Sequence, residues 1–239
     1  MLFKDKRFLC KIVVFFFLCI SPNSLLPNEK VIYGKDGRKD LYEVTESKWI
    51  ENAKSVAALI PLENFKKVEG DSDSWRLTSA TLGEDGVCHD EKFTSQQTSA
   101  ECSGFLVDHN LLITAGHCVN SLKTCRKTRW VFGYDLSTKG KDYNLISKED
   151  VFECSEVISF YSGDYDDEPD YAILRLNRSV KGRKPLQLRK KGRIKKGRRL
   201  YIAGFPLGLP LKMAGGAWVR KSSKGPYFLT NLDSFEGNS

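Results

Sequence analysis

Apolar positions in this chain come in short runs, not along a helical stripe. Residues 103–107 and 111–114 are apolar and flank Asp108-His109-Asn110, a hairpin signal. Residues 130–134, 151–160 and 171–176 read as further strands. Residues 200–205 (LYIAGF) have the pattern of a buried strand and stop at Pro206. Residues 218–221 and 227–232 continue the same style. Near the start, residues 31–44 begin like a strand and turn at Lys35-Asp36-Gly37. Residues 47–60 admit two readings. Trp49, Ile50, Ala53, Val56, Ala57 and Ile60 are spaced for a short helix, whereas 55–60 (SVAALI) suits a strand. Residues 62–100 are polar and read as a loop around Gly70-Asp71-Ser72-Asp73-Ser74. No internal repeat is visible. The pattern predicts an all-β protein.

The N-terminus has a different character. Lys4, Lys6, Arg7 and Lys11 precede the unbroken apolar run at 12–20 (IVVFFFLCI). That run is too short for a bilayer, which needs about 20 residues, and suits the core of an export signal. Residues 1–24 are therefore expected to be a signal peptide, which implies a secreted or periplasmic product. Pro22 blurs the cleavage site between Ser21 and Ser24. Phe17 and Leu18 are too bulky to make Cys19 a lipid-attachment cysteine.

Seven cysteines fit an oxidising compartment. Cys10 and Cys19 lie in the signal, which leaves Cys88, Cys102, Cys118, Cys125 and Cys154. That odd number leaves at least one unpaired. One arrangement joins Cys125 to Cys154 and leaves Cys88 over.

The net charge of +8 is concentrated. Residues 181–199 hold eleven Lys/Arg and no acid, residues 1–20 add an excess of three, and the remainder is net acidic. The basic stretch lacks interleaved aromatics for base stacking. It reads as a solvated linker and strand edge, where lysines also discourage edge pairing. The acidic loop Asp164, Asp166, Asp167 and Glu168 reads as solvated in preference to a calcium site. His89 beside Cys88 lacks the further ligands a metal needs.

Three motifs carry candidate chemistry. Cys102-Ser-Gly-Phe-Leu-Val leads, six residues later, to Thr114-Ala-Gly-His117-Cys118. Asp170 opens Asp-Tyr-Ala-Ile-Leu-Arg-Leu. The chain closes on Asp233-Ser-Phe-Glu-Gly237-Asn238-Ser239. A histidine titrates near neutrality and suits a general base. Serine has a high pKa and needs such a base to become a nucleophile.

In this order, His then Asp then Ser, the motifs resemble the trypsin/chymotrypsin-like serine endopeptidases. The resemblance spans roughly residues 31–239. It implies two successive β-barrels, with 31–178 as the first, 179–199 as a basic linker and strand edge, and 200–239 as the N-terminal part of the second. It also implies a catalytic triad of His117, Asp170 and Ser239. The oxyanion hole would come from the backbone N–H groups of Gly237 and Ser239, and a Cys102–Cys118 disulfide would bracket the histidine. Val31-Ile-Tyr-Gly-x-Asp-x-Arg followed by Ser55-Val-Ala-Ala-Leu-Ile is similar to the bacterial V8-like, glutamyl-endopeptidase-type branch. That similarity favours a strand at 55–60.

Asp233 lies six residues before Ser239, the offset of the residue at the base of the family's specificity pocket. An aspartate there implies a preference for Lys or Arg at the cleaved position, whereas the V8-like similarity implies one for glutamate; Asp233 is taken as the stronger guide because it would touch the substrate directly. Asn238 stands where trypsin-like zymogens keep an aspartate, so their charge-based activation switch is not expected. The family pattern continues past the serine with Gly, a small residue, Pro and further strands. The second barrel is therefore expected to be incomplete in this chain, with little or no activity. The resemblance implies a protein or peptide substrate and a monomer. It implies no nucleic-acid partner, membrane span, cofactor or metal. The competing reading is a non-catalytic exported binding module that uses the basic patch at 181–199.

Overall fold

The computed structural model describes residues 32–119, 121–163, 168–223, 225, 227–235 and 237–239. The expected signal peptide, Val31 and Asp164, Asp166 and Asp167 of the acidic loop lie outside these.

The first strands in chain order are β1 (Lys39–Asp40), β2 (Val56–Pro61), β3 (Phe65–Val68), β4 (Asp71–Leu77), β5 (Cys102–Asp108), β6 (Leu111–Thr114) and β7 (Thr128–Phe132). They are followed by β8 (Leu145–Ser147), β9 (Val151–Phe152), β10 (Cys154–Ser162), β11 (Asp170–Leu176), β12 (Arg199–Gly204), β13 (Lys212–Ser222) and β14 (Phe228–Thr230). Two short helices, α1 (Ser47–Ala53) and α2 (Leu122–Lys127), complete the set with a few 3₁₀ turns.

The fold is all-β. Seven strands form one sheet in the order β10-β11-β6-β5-β2-β7-β9. Its two outer strands, β9 and β10, are separated in sequence only by Glu153. The sheet must therefore curl until its ends meet, which makes it the first barrel. Four strands form the second sheet, with β13 pairing β1, β12 and β14. A small β3-β4-β8 sheet flanks them.

Strand β2 explains how one apolar run serves two cores. Side chains alternate across a strand. Ala57 and Leu59 join Leu106, Leu112, Trp130, Phe132 and Leu174 inside the first barrel. Val56, Ala58 and Ile60 join Leu77, Tyr134, Phe205, Leu211 and Met213 on the opposite face. A strand buried on both faces has no polar alternation, as S-V-A-A-L-I shows.

Residues 47–60 divide between the two readings: the helix is real over Ser47–Ala53, and the strand begins at Val56. Three other expectations are corrected. The polar stretch 62–100 contains the β3–β4 hairpin, turning at Gly70 with φ +75°; its strands are largely solvated, so they lack an apolar signature. The expected strand at 151–160 is two strands. Strand β13 starts at Lys212, well before Trp218, because pairing with β1 and β12 holds the weakly β-forming Met213-Ala-Gly-Gly-Ala segment extended. Residues 39–40 also pair with the second sheet and not the first.

Both disulfides form among the described cysteines, Cys102–Cys118 and Cys125–Cys154, and Cys88 is free and exposed. On the outer part of the second sheet, Trp218, Tyr227, Phe228 and Leu229 are exposed. Among the described residues, no helix is long and apolar enough to cross a membrane.

Candidate active site

Sheet register brings the histidine and aspartate motifs together. Thr114, the last residue of β6, pairs with Ala172 near the start of β11. The end of one strand thus lies beside the beginning of the other. Asp170 opens β11, and His117 follows β6 by three residues. Nδ1 of His117 lies 2.6 Å from Oδ2 of Asp170. The backbone N–H of His117 donates to Oδ1 of the same carboxylate at 3.1 Å. Both aspartate oxygens therefore orient the histidine, one through its ring and one through its backbone.

The turn between β6 and His117 needs a residue without a side chain. A Cβ on Gly116 would collide with the carbonyl of Tyr161 and stand 2.9 Å from Oδ1 of Asp170. The Cys102–Cys118 disulfide clamps the other side of this turn to the start of β5.

The segment carrying Ser239 reaches the same end of the sheet through Ser103, a buried residue of β5 that the sequence did not single out. The N–H of Ser103 donates to the carbonyl of Ser239. Its hydroxyl accepts from the N–H of Phe205 at 3.0 Å and contacts the carbonyl of Gly237 at 3.3 Å. Its carbonyl accepts from the Thr114 hydroxyl at 2.8 Å. One small side chain thus joins the first barrel, the end of β12 and the Gly237–Ser239 turn. The only sequence signal for it was its place after Cys102.

The carbonyl of Ser239 lies 3.8 Å from Sγ of Cys118, the neighbour of His117. Gly237 takes φ +84°, a conformation glycine tolerates at no steric cost. Nδ2 of Asn238 donates to the Ser234 hydroxyl at 2.8 Å, which ties the turn internally. A cavity of about 550 Å³ runs between the first barrel and β12, with Asp170, Asn238, Ser239, Thr114 and Tyr201 on its walls. Tyr201 is held by stacking on Trp49, centroids 4.7 Å apart, and by an Asn52 amide donating at 2.5 Å.

Asp233 is elsewhere. It is buried and does not line that cavity. Oδ1 accepts the N–H of Tyr33 at 2.8 Å and Oδ2 accepts that of Gly37 at 2.7 Å. Cys102, His117 and Cys118 also bring potential metal-ligating atoms within 4.8 Å of one another. The two sulfurs are bonded together, so they offer no thiolate to a metal.

A curled β-barrel that presents a paired histidine and aspartate beside a disulfide, with a second sheet delivering a Gly-Asn-Ser turn, defines a class of peptidase-like domain. Residues 102–239 match the family described as trypsin-like peptidase domain, and the chain belongs to that family. It is also similar to a solved structure described as "Structure of GrC", at 21% identity over 72% of this chain, with a TM-score of 0.41. The chain spans 62% of the length of that structure's chain. No curated protein matches.

Proposed function

We propose that this chain carries the machinery of an exported serine endopeptidase that cleaves peptide bonds through an acyl-enzyme. The reading rests above all on the 2.6 Å contact between His117 Nδ1 and Asp170 Oδ2. With Nδ1–H donating to the carboxylate, Nε2 is free to take the Ser239 proton as the hydroxyl attacks the scissile carbonyl. Asp170 stabilises the imidazolium that results. The N–H groups of Gly237 and Ser239 are the proposed donors to the oxyanion, each typically worth about 3 kcal/mol in the transition state. His117 then returns the proton to the leaving amine, and water releases the acyl group by the same route.

The two disulfides are in keeping with export. The Val31-Ile-Tyr-Gly motif supports a place in the V8-like branch. We divide the chain functionally at 31–178, 179–199 and 200–239. Asp233 accepts the N–H groups of Tyr33 and Gly37 and keeps lone pairs for a cation, so a Lys/Arg preference stands as a competing role for it, which cleavage-site profiling decides.

The test is labelling of Ser239 by a fluorophosphonate, together with hydrolysis of a mixed peptide library. Ser239→Ala and His117→Ala should abolish both, and Asp170→Asn should lower turnover by roughly 10⁴-fold. Hydrolysis that persists in Ser239→Ala would overturn the reading.

A further inference from the structure

Residues 33–38 lie across the loop that leads to Ser239. Their first tie is Asp233, whose two oxygens accept the N–H groups of Tyr33 and Gly37. The approach is close enough that a Cβ on Gly37 would stand 2.8 Å from Oδ2 of Asp233. Gly37 does not have a positive φ, so contact with Asp233, and not backbone strain, is what makes glycine necessary there.

The second tie is Arg38, whose side chain is only 2% exposed. Its guanidinium forks onto Asp36, with Nε to Oδ1 at 3.1 Å and Nη2 to Oδ2 at 2.8 Å. Its Cζ sits 4.1 Å from the ring centroid of Phe235 and 5.4 Å from that of Phe93. Arginine stacked on an aromatic face gains from the ring's quadrupole, and more so when desolvated. Lys92 adds a hydrogen bond from Nζ to the carbonyl of Arg38 at 2.6 Å. The two ties grip residues 233 and 235. Immediately beyond them, Gly237 and Ser239 meet Ser103.

We propose that residues 33–38 form a strap that positions the 233–239 loop, with Asp233 and Arg38 as its anchors. Asp233 is then a positioning residue for Ser239 and not the group that selects the substrate's cleaved side chain. The structural half of this inference stands on the contacts alone. The catalytic half rests on reading Ser239 as the nucleophile.

The experiment compares the full chain with Asp233→Ala and Gly37→Ala by amide hydrogen exchange, by the rate of Ser239 phosphonylation and by cleavage-site profiling. Gly37→Ala disturbs the strap while keeping the carboxylate, so it decides the matter if Asp233→Ala fails to fold. In the unaltered protein the Tyr33, Gly37 and Ser103 amides should be protected. Both variants should lose at least tenfold protection at all three, while β2 and β7 amides stay unchanged. Phosphonylation should slow at least tenfold, with no selective loss of cleavage after Lys or Arg.

Rapid exchange of Tyr33 and Gly37 in the unaltered protein would overturn the strap. Release of Tyr33 and Gly37 without change at Ser103 or in phosphonylation would overturn its positioning role. A selective loss of Lys/Arg cleavage would return Asp233 to substrate selection. If the unaltered protein does not react with the phosphonate, the endopeptidase reading falls, and exchange at Ser103 alone judges the strap.

Discussion

Gly116 and Ser103 matter for what they lack or share. At Gly116 even a methyl group meets the Tyr161 carbonyl and the Asp170 carboxylate. Gly116→Ala should therefore push the His117 turn away from Asp170. Overpacking of this kind costs about 1–3 kcal/mol, measurable by denaturant unfolding, and the variant should also lose phosphonate reactivity. Ser103→Ala removes the acceptor of the buried Phe205 N–H and the contact to Gly237. An unsatisfied buried donor costs about 1–3 kcal/mol, so the unfolding midpoint should fall by a corresponding amount. Native stability in Ser103→Ala would mean that Phe205 finds another acceptor.

Among the elements, the short strands and turns around the site depend on covalent ties. Cys102–Cys118 fastens the histidine turn to β5, and Cys125–Cys154 fastens α2 to β10. Their sequence separations are 16 and 29 residues. In the chain-entropy model each closure is worth about 3–4 kcal/mol. Replacing Cys102 and Cys118 together by alanine should lower stability by about 3 kcal/mol and free the His117 turn. Replacing Cys125 and Cys154 should cost as much stability but leave phosphonate labelling of Ser239 largely intact. Calorimetry combined with labelling separates the two cases. The linker also contributes: Arg183 pairs with Asp150 at 2.6 Å and donates to the carbonyl of Lys54 at 2.7 Å. Part of the basic stretch is thereby fixed to the first barrel, while residues 189–193 remain largely exposed.

At the scale of the whole molecule, a buried ion pair joins β1 to β13 within the second sheet and gives stability a pH signature. Lys212 is 2% exposed and lies 2.7 Å from Asp40, with Gln96 and the Pro210 carbonyl as further acceptors. Burial lowers its pKa from the ordinary 10.5 to about 8, and nearby Arg38 adds to this, outweighing the attraction of Asp40 and Glu43. Between pH 8 and 10.5 the unfolded chain therefore holds more protons than the folded one. The contribution of Lys212 to stability should rise with pH across that window and be flat below it. The full change is roughly 3 kcal/mol. Lys212→Met should abolish this rise while leaving Asp40 buried without its cation. Unfolding titrations of both proteins across the window check the sign. At the acid end, burial raises the Asp36 carboxyl, but hydrogen bonds and charge from Arg38, helped by Lys92, more than reverse this and hold it below its usual range. Its contribution is present above the unfolded pKa and is lost as pH falls through the lowered folded value.

The sequence by itself determined the all-β class, the hairpin at 103–114, the strand at 171–176 and the candidate His117, Asp170 and Ser239, because short apolar runs and motif spacing are local properties. It also placed the four paired cysteines without proving their partners. Only the tertiary structure decided what depends on distant segments meeting. The β3–β4 hairpin and the first half of β13 lack an apolar signature, and their neighbours hold them extended. Ser103 acquires its importance from Phe205 and Gly237, more than 100 residues away. The offset of Asp233 from Ser239 reads as that of a substrate selector, and the fold adds two contacts the offset does not show, from Tyr33 and Gly37 across some 200 residues. An offset records spacing along the chain, whereas the fold brings distant donors to the same carboxylate.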